Sequence, residues 1–289
     1  MTNLSNLHGR LLEYLIVEDI MRINACAKLT DQAIQDQQRD YLKLETVDKR
    51  LLQKFRLAVK ALSQSWLEPN FSISARKELK IDRLPDRNDN SDVTDIRLFS
   101  GEENINLSIK HNHIALRHQR PRTTPTHCGY AQEDNNNEVI YFSKSYNKIV
   151  NSFIQRTQGF EFFRDLPASC IHEFLYNPVC NLVCEFINMH SKECAENLFQ
   201  YLVGATNYYK VIIRTRSNEI EIQEFDKMEL PKDVQASVRR QYVDLDFTNG
   251  WKITMRLHTA SSRIGSSPSL KFDTVASSVS VPIVVISYD

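Results

Sequence analysis

Ser91-Asp92-Val93-Thr94-Asp95-Ile96-Arg97-Leu98 and, a short turn later, Asn106-Leu107-Ser108-Ile109-Lys110-His111-Asn112-His113 decide how this chain is read. Both stretches have the apolar alternation of strands, and Ser100-Gly101-Glu102-Glu103 between them is a turn signal. Successive strand side chains point to opposite faces. A turn centred near Gly101 and Glu102 sets Phe99 opposite Asn104, Asp95 opposite Ser108 and Val93 opposite Lys110. Asp95, Ser108 and Lys110 therefore project from one side. Ile96, Leu98, Ile105, Leu107 and Ile109 make the other, apolar side. Asp92 has the wrong parity unless the strand starts after it or a bulge intervenes, so Asp95 is the better ligand.

That polar face suits a particular chemistry. Cleaving a phosphodiester takes a water or hydroxide nucleophile, charge neutralisation on the phosphorane and protonation of the leaving oxygen. Asp95 offers a hard oxygen ligand suited to magnesium. Lys110 can stabilise developing charge and orient the attacking water, and the Ile109 carbonyl, left open at a strand end, is an additional ligand. The same letters also fit the solvent face of an ordinary amphipathic hairpin, and the spacing alone is a loose pattern. One carboxylate is thin for a metal site. Glu13, between Leu12 and Tyr14 in an N-terminal helix, is the candidate second acid, its other reading being an exposed helix glutamate.

Working outward, residues 1–67 read as helical. Leu11, Leu12, Leu15, Ile16, Ile20 and Ile23 follow a 3.6-residue period, as do Leu51, Leu52, Phe55, Val59 and Leu62. Glu68-Pro69-Asn70 closes this block, and Ile81 to Asn90 reads as a polar loop feeding the Asp95 strand. Residues 130–204 read as mainly helical, with Pro167 and Pro178 as breakers. Tyr209–Arg214 and Glu219–Phe225 read as a strand pair joined at Ser217-Asn218. Val243–Phe247, Trp251–His258 and Val279–Ser287 are further strand candidates, with Ala260–Ser267 a polar loop.

Bulk composition narrows the class. Apolar residues at 42% and charged residues at 25% are ordinary for a globular protein of 289 residues. With 7 Gly there is no Walker or Rossmann phosphate loop. A net charge of zero argues against a generic nucleic-acid coat but leaves room for a local basic cleft. Cys26, Cys128, Cys170, Cys180, Cys184 and Cys194 form no CxxC pair. Cys180/Cys184 and His190/Cys194 have helical spacing that can bind zinc, though buried core thiols explain it more simply. No signal peptide or apolar run of membrane-spanning length is evident, so the expectation is a reduced, soluble, cytoplasmic protein, without a membrane partner.

The combined residues resemble the HaeIII-type restriction endonucleases, a branch of the PD-(D/E)-x-K nuclease superfamily. The resemblance rests on His8-Gly9-Arg10-Leu11-Leu12-Glu13-Tyr14, on Asp92 to Arg97, and on Ser108 to Arg120. Near the C-terminus it continues in Gly250 to Arg263 and Ser269-Leu270-Lys271-Phe272-Asp273. It implies an α+β fold: a central mixed β-sheet flanked by helices, a restriction-endonuclease-like core with helical insertions. Residues 1–289 are then expected as a single endonuclease domain. Its parts are the helical 1–67, the catalytic hairpin and basic segment 91–122, and a β-rich 205–289 contributing DNA recognition. The implied activity is Mg2+-dependent cleavage of double-stranded DNA at a short palindrome, GGCC by kinship, beside a cognate methyltransferase as functional rather than physical partner. Asp95 resembles the superfamily's metal-binding aspartate and Lys110 its lysine. Ser108 stands where the superfamily usually has Glu or Asp, and Glu13 is the acid expected to compensate.

DNA contacts are expected in two places. His113, Arg117, His118 and Arg120 belong to a helix or loop leaving the catalytic strand, where helical spacing would put His113, Arg117 and Arg120 on one side. Arginines there can clamp phosphates or fork onto guanine. Arg256, His258, Ser261, Ser262 and Arg263 form the second surface, and the Asp82–Asn90 loop a third. A palindrome reader can act as a monomer or a homodimer. The rivals are a non-catalytic DNA-binding protein on the same fold, a nuclease for RNA or damaged DNA, and an HNH-like site at His111, Asn112 and His113.

Overall fold

The computed structural model describes residues 4–84, 92–130, 136–226, 228–278 and 281–289. The helices are α1 (Leu4–Ile23), α2 (Asp31–Tyr41), α3 (Lys49–Leu62), α4 (Glu68–Phe71), α5 (Thr124–His127), α6 (Asn137–Arg156), α7 (Ala168–Ile171), α8 (Asn177–Met189) and α9 (Ser191–Val203). The strands are β1 (Ala27–Leu29), β2 (Leu79–Arg83), β3 (Ile96–Ser100), β4 (Glu103–His111), β5 (Tyr208–Arg214) and β6 (Glu219–Phe225). They continue with β7 (Val234–Arg239), β8 (Tyr242–Phe247), β9 (Lys252–Thr259), β10 (Leu270–Ser278) and β11 (Ile283–Ser287). These elements form two compact units: Met1–Ile114 with Thr206–Met228 and Val281–Asp289, and Ala115–Ala205 with Glu229–Ser280. The section 205–289 contributes to both.

The first unit is a seven-stranded mixed sheet in the order β1-β2-β3-β4-β5-β6-β11. β1–β2 and β4–β5 pair in parallel, and the other pairs are antiparallel. The hairpin register is Phe99 against Asn104 and Ile96 against Leu107. Its turn closes on Gly101 at φ 63°, a left-handed conformation that glycine adopts without strain. Ile96, Leu98, Ile105, Leu107 and Ile109 are buried against Leu12, Leu15, Ile16 and Ile20 of α1 and Phe55, Val59 and Leu62 of α3. Both helical stripes follow the 3.6-residue period in the sequence. The Thr30 hydroxyl accepts from Ala33 N–H at the start of α2, and Asp48 accepts from Arg50 and Leu51 at the start of α3.

The second unit has a four-stranded antiparallel sheet, β10-β9-β8-β7. Val243, Leu245, Ile253, Met255, Leu257 and Phe272 alternate to its buried face, and α8 and α9 supply Val183, Ile187, Leu198 and Leu202 to the core. Cys128, Cys180 and Cys194 are buried thiols in this unit. Among the described residues no helix is long and apolar enough to cross a membrane.

Several expectations change. The helical reading of residues 1–67 missed the three-residue β1. The supposed loop from Ile81 begins as β2, with Leu79, Ile81 and Arg83 buried in strict alternation. Residues 85–90 of that loop, most of the third DNA-contact candidate, lie outside the described residues, as do Ser91 and 279–280 of the last strand candidate. His111 ends β4, and residues 112–120 after it form no helix. Leu116 N–H donates to Thr274 O and Phe272 N–H to Gln119 O, so the edge of β10 takes the hydrogen bonds a helix would have used. Pro178 does not break the helix: the backbone runs from α7 through a wider-wound turn at His172–Tyr176 into α8 without leaving helical geometry, and that widened turn accommodates a residue with no N–H to donate.

Candidate active site

Asp95 sits one residue before β3, and its backbone N–H still donates to Leu107 O at 2.8 Å. Its Oδ2 accepts from three groups of β4: Ile109 N–H at 2.6 Å, Lys110 Nζ at 3.2 Å and Ser108 Oγ at 3.4 Å. None of these falls on Oδ1. In a strand the N–H and C=O of one residue point to the same edge, so the Ile109 carbonyl is directed to the same side as its N–H, beside Asp95. The parity rule thus brings Asp95, Ser108 and Lys110 together. Asp92 goes elsewhere, to Arg97 at 2.5 Å and to the Thr94 N–H.

Glu13 reaches the site from α1. Burial, and next the neighbouring Asp95 carboxylate, push its carboxyl up to about 7, against the pull of Arg83 and Arg10. Two acids that repel each other in a partly dry place are what a divalent cation would relieve. Glu13 Oε2 is 2.8 Å from Arg83, which leaves Oε1 outside that pair.

These residues fit a hard cation. Among the described residues there is no cluster of three or more His, Cys, Asp or Glu arranged to hold a metal. Magnesium, however, is ordinarily held by one or two carboxylates, with waters and substrate phosphates completing its shell. Asp95, Glu13 and the Ile109 carbonyl are such a donor set. Ser108, only 2% exposed, can give Asp95 a hydroxyl but no charge. For the zinc option, the buried Cys180 and Cys194 belong to the second unit's core.

Two cations escaped sequence reading, Arg83 and Lys210. Lys210 lies opposite Ser108 on β5, is buried, and donates to Ile114 O at 2.7 Å. Burial first, then Lys110, lowers its pKa to about 7, with Glu221 opposing. The strand alternation that located Lys110 also marks Lys210 on the same face, once the β4–β5 register is known. His111 packs edge-on to His8 and Phe55, with ring centroids 5.0 Å away in each case. Burial leads its pKa down to about 4, so its ring is a neutral part of the helix-side packing.

The DNA-contact candidates separate by unit. His113 is exposed in the first. In the second, Arg117 stacks its guanidinium 4.6 Å from the Tyr201 ring centre, and Arg120 donates to Ser269 Oγ at 3.0 Å. His118, Arg256 and His258 converge on Asp273, at 3.4, 3.2 and 3.1 Å. The β9–β10 register explains this: Arg256 faces Asp273 and His258 faces Lys271. Burial opposes ionisation of Asp273, but His258, Arg256 and His118 overcome it and hold its carboxyl below the usual range. Ser261 Oγ accepts from Arg263 N–H, Ser262 O accepts from Phe163 N–H, and the Arg263 side chain reaches Glu161 at 2.6 Å. Asp273 was part of the resemblance but had no role assigned to it.

Residues 9–241 match the family model described as HaeIII restriction endonuclease. The chain is also 23% identical over 314 aligned positions, covering 94% of each protein, to the type II restriction enzyme HaeIII of Haemophilus aegyptius. No solved structure matches.

Proposed function

The chain belongs to the HaeIII restriction endonuclease family, and from that membership together with the Asp95 hairpin we propose Mg2+-dependent hydrolysis of double-stranded DNA at a short palindrome. A restriction nuclease acting on DNA is the family's activity. The magnesium requirement, the palindrome, with GGCC as first choice, and the residue roles are the proposal. It includes a cognate methyltransferase protecting the host site, and a homodimer as the symmetric way to meet a palindrome. The carrying observation is that one carboxylate oxygen of Asp95 takes the Ile109 N–H, Lys110 and Ser108 together, while a second acid, Glu13, lies near enough to repel it.

Asp95, Glu13 and the Ile109 carbonyl would hold the cation. When bound, magnesium supplies positive charge against the phosphorane and makes a water more acidic. Lys110, 3.2 Å from Asp95 and released from that pair by an incoming phosphate, stabilises the same developing charge. Ser108 and the Ile109 amide keep Asp95 Oδ2 fixed, so Oδ1 faces the substrate side without rearrangement. His113, Arg117, His118, Arg120, Arg256, His258, Ser261, Ser262 and Arg263 are assigned to DNA. Asp273 presents His118, Arg256 and His258 as a preorganised group suited to base edges more than to phosphates.

Incubating the purified protein with unmodified plasmid DNA and Mg2+, then sequencing the ends, tests this reading. Discrete ends at one palindrome are expected. A smear, or cleavage unaffected by chelation, would overturn it.

A further inference from the structure

Arg83 is the last residue of β2, opposite Ile96 and so alongside the strand position that follows Asp95. Its side chain is 1% exposed, yet it is a full charge. The guanidinium spans four acceptors: Gln37 Oε1 at 2.9 Å through one terminal nitrogen, and Glu13 Oε2 at 2.8 Å, Asp40 Oδ2 at 2.9 Å and Arg10 O at 3.3 Å through the other. Its Nε is buried and has no hydrogen-bond partner among the described residues. Gln37 is itself fixed by donating to Tyr14 O at 3.2 Å.

A buried ion pair is a poor source of stability, because desolvation consumes most of the attraction. Nor does Asp40 need Arg83 for neutrality. Arg39 meets Asp40 at 2.6 Å and Lys43 meets it at 2.9 Å. Glu13 is the acid for which Arg83 is the close ion-pair partner. We propose that Arg83 is a positioning residue that locks Glu13 through Oε2 and so aims Oε1 at the cation shared with Asp95, with Gln37 and Asp40 as its braces. This rests on the reading of Glu13 as a cation ligand. The fork geometry is essential to it: a lysine ammonium is a point charge that cannot reach Gln37, Glu13 and Asp40 at once.

The test is Mn2+ binding to the full-length protein by electron paramagnetic resonance titration, beside the Mg2+ dependence of cleavage. Arg83→Lys is expected to weaken Mn2+ binding roughly 10- to 100-fold, the usual penalty for losing an outer-shell partner. Half-maximal cleavage should need correspondingly more Mg2+, while the rate at saturating Mg2+ recovers. A merely structural role would lower that maximum and leave the midpoint in place. In a Glu13→Gln background, Arg83→Lys should add nothing. Where Arg83→Lys does not fold by circular dichroism, Gln37→Met, which removes one brace and keeps the charge, carries the same comparison. Wild-type Mn2+ affinity and Mg2+ midpoint in the folded variant would overturn the proposal. If Glu13→Gln weakens Mn2+ binding and the folded Arg83 or Gln37 variant does not, only the positioning role fails. If Glu13→Gln leaves Mn2+ affinity untouched, the ligand assignment fails and this inference goes with it.

Discussion

Glu13→Gln should change how stability depends on pH. Burial and Asp95 raise the Glu13 carboxyl from 4.5 to about 7 in the folded protein, while the unfolded chain titrates near the ordinary value. Below pH 4.5 both states hold the proton and the full stability is present. Between there and about pH 7 the unfolded chain loses its proton first, so stability falls as pH rises. At roughly 1.4 kcal/mol per pH unit, the complete loss is on the order of 3 kcal/mol. Glutamine cannot ionise, so the variant lacks this loss. Loss of the Arg83 pair adds an offset, but to first order the same one at every pH. The assay is urea unfolding of both proteins at intervals from pH 5 to 8 in EDTA. Stability of the variant relative to wild type should climb by roughly 2–3 kcal/mol across that range, the remainder of the loss lying below pH 5. A relative stability flat with pH would refute the claim that two carboxylates crowd this site.

Replacing Lys110 with Met should lower kcat by about 10²–10³-fold, the scale for removing one preorganised charge stabiliser, with gel-shift affinity in EDTA unchanged; an unchanged kcat would dismiss Lys110 from the chemistry. Asp273→Ala frees His118, Arg256 and His258, so affinity for the cleaved sequence should fall by about 1–3 kcal/mol while affinity for other duplexes holds or rises. Competition binding reads both, and a uniform loss would mean that Asp273 only supports the fold. Gly101→Ala should cost about 1–2 kcal/mol through its left-handed backbone alone, since an added Cβ meets nothing within 4 Å. An unaltered urea midpoint would contradict the tight hairpin turn.

The hairpin was legible because its turn and its two apolar stripes agree on one register, and strand parity then fixes which polar groups meet. The helices α1 and α3 were legible for the same reason: their apolar period has no competing pattern. β2 was not, because its third inward position is Arg83, and a charged residue breaks the apolar alternation that advertises a strand. The distant acceptors Gln37, Glu13, Asp40 and the Arg10 carbonyl make that burial tolerable, and no local window contains them. The basic run after His111 misled in the opposite direction. Its cations recur near helical spacing, but Leu116 N–H and Gln119 O pair with β10 and Arg117 N–H donates to Leu202 O instead. Asp273 likewise acquires meaning only from the β9–β10 register, which the sequence leaves open.

The most direct measurement is cleavage of unmodified duplex DNA under single-turnover conditions by wild type and by Asp95→Ala, with binding of each followed in parallel. Wild type should produce discrete ends at one short palindrome, only with Mg2+, and Asp95→Ala should bind the same duplex yet leave it intact. Cleavage by Asp95→Ala at the wild-type rate would contradict the site built on this hairpin.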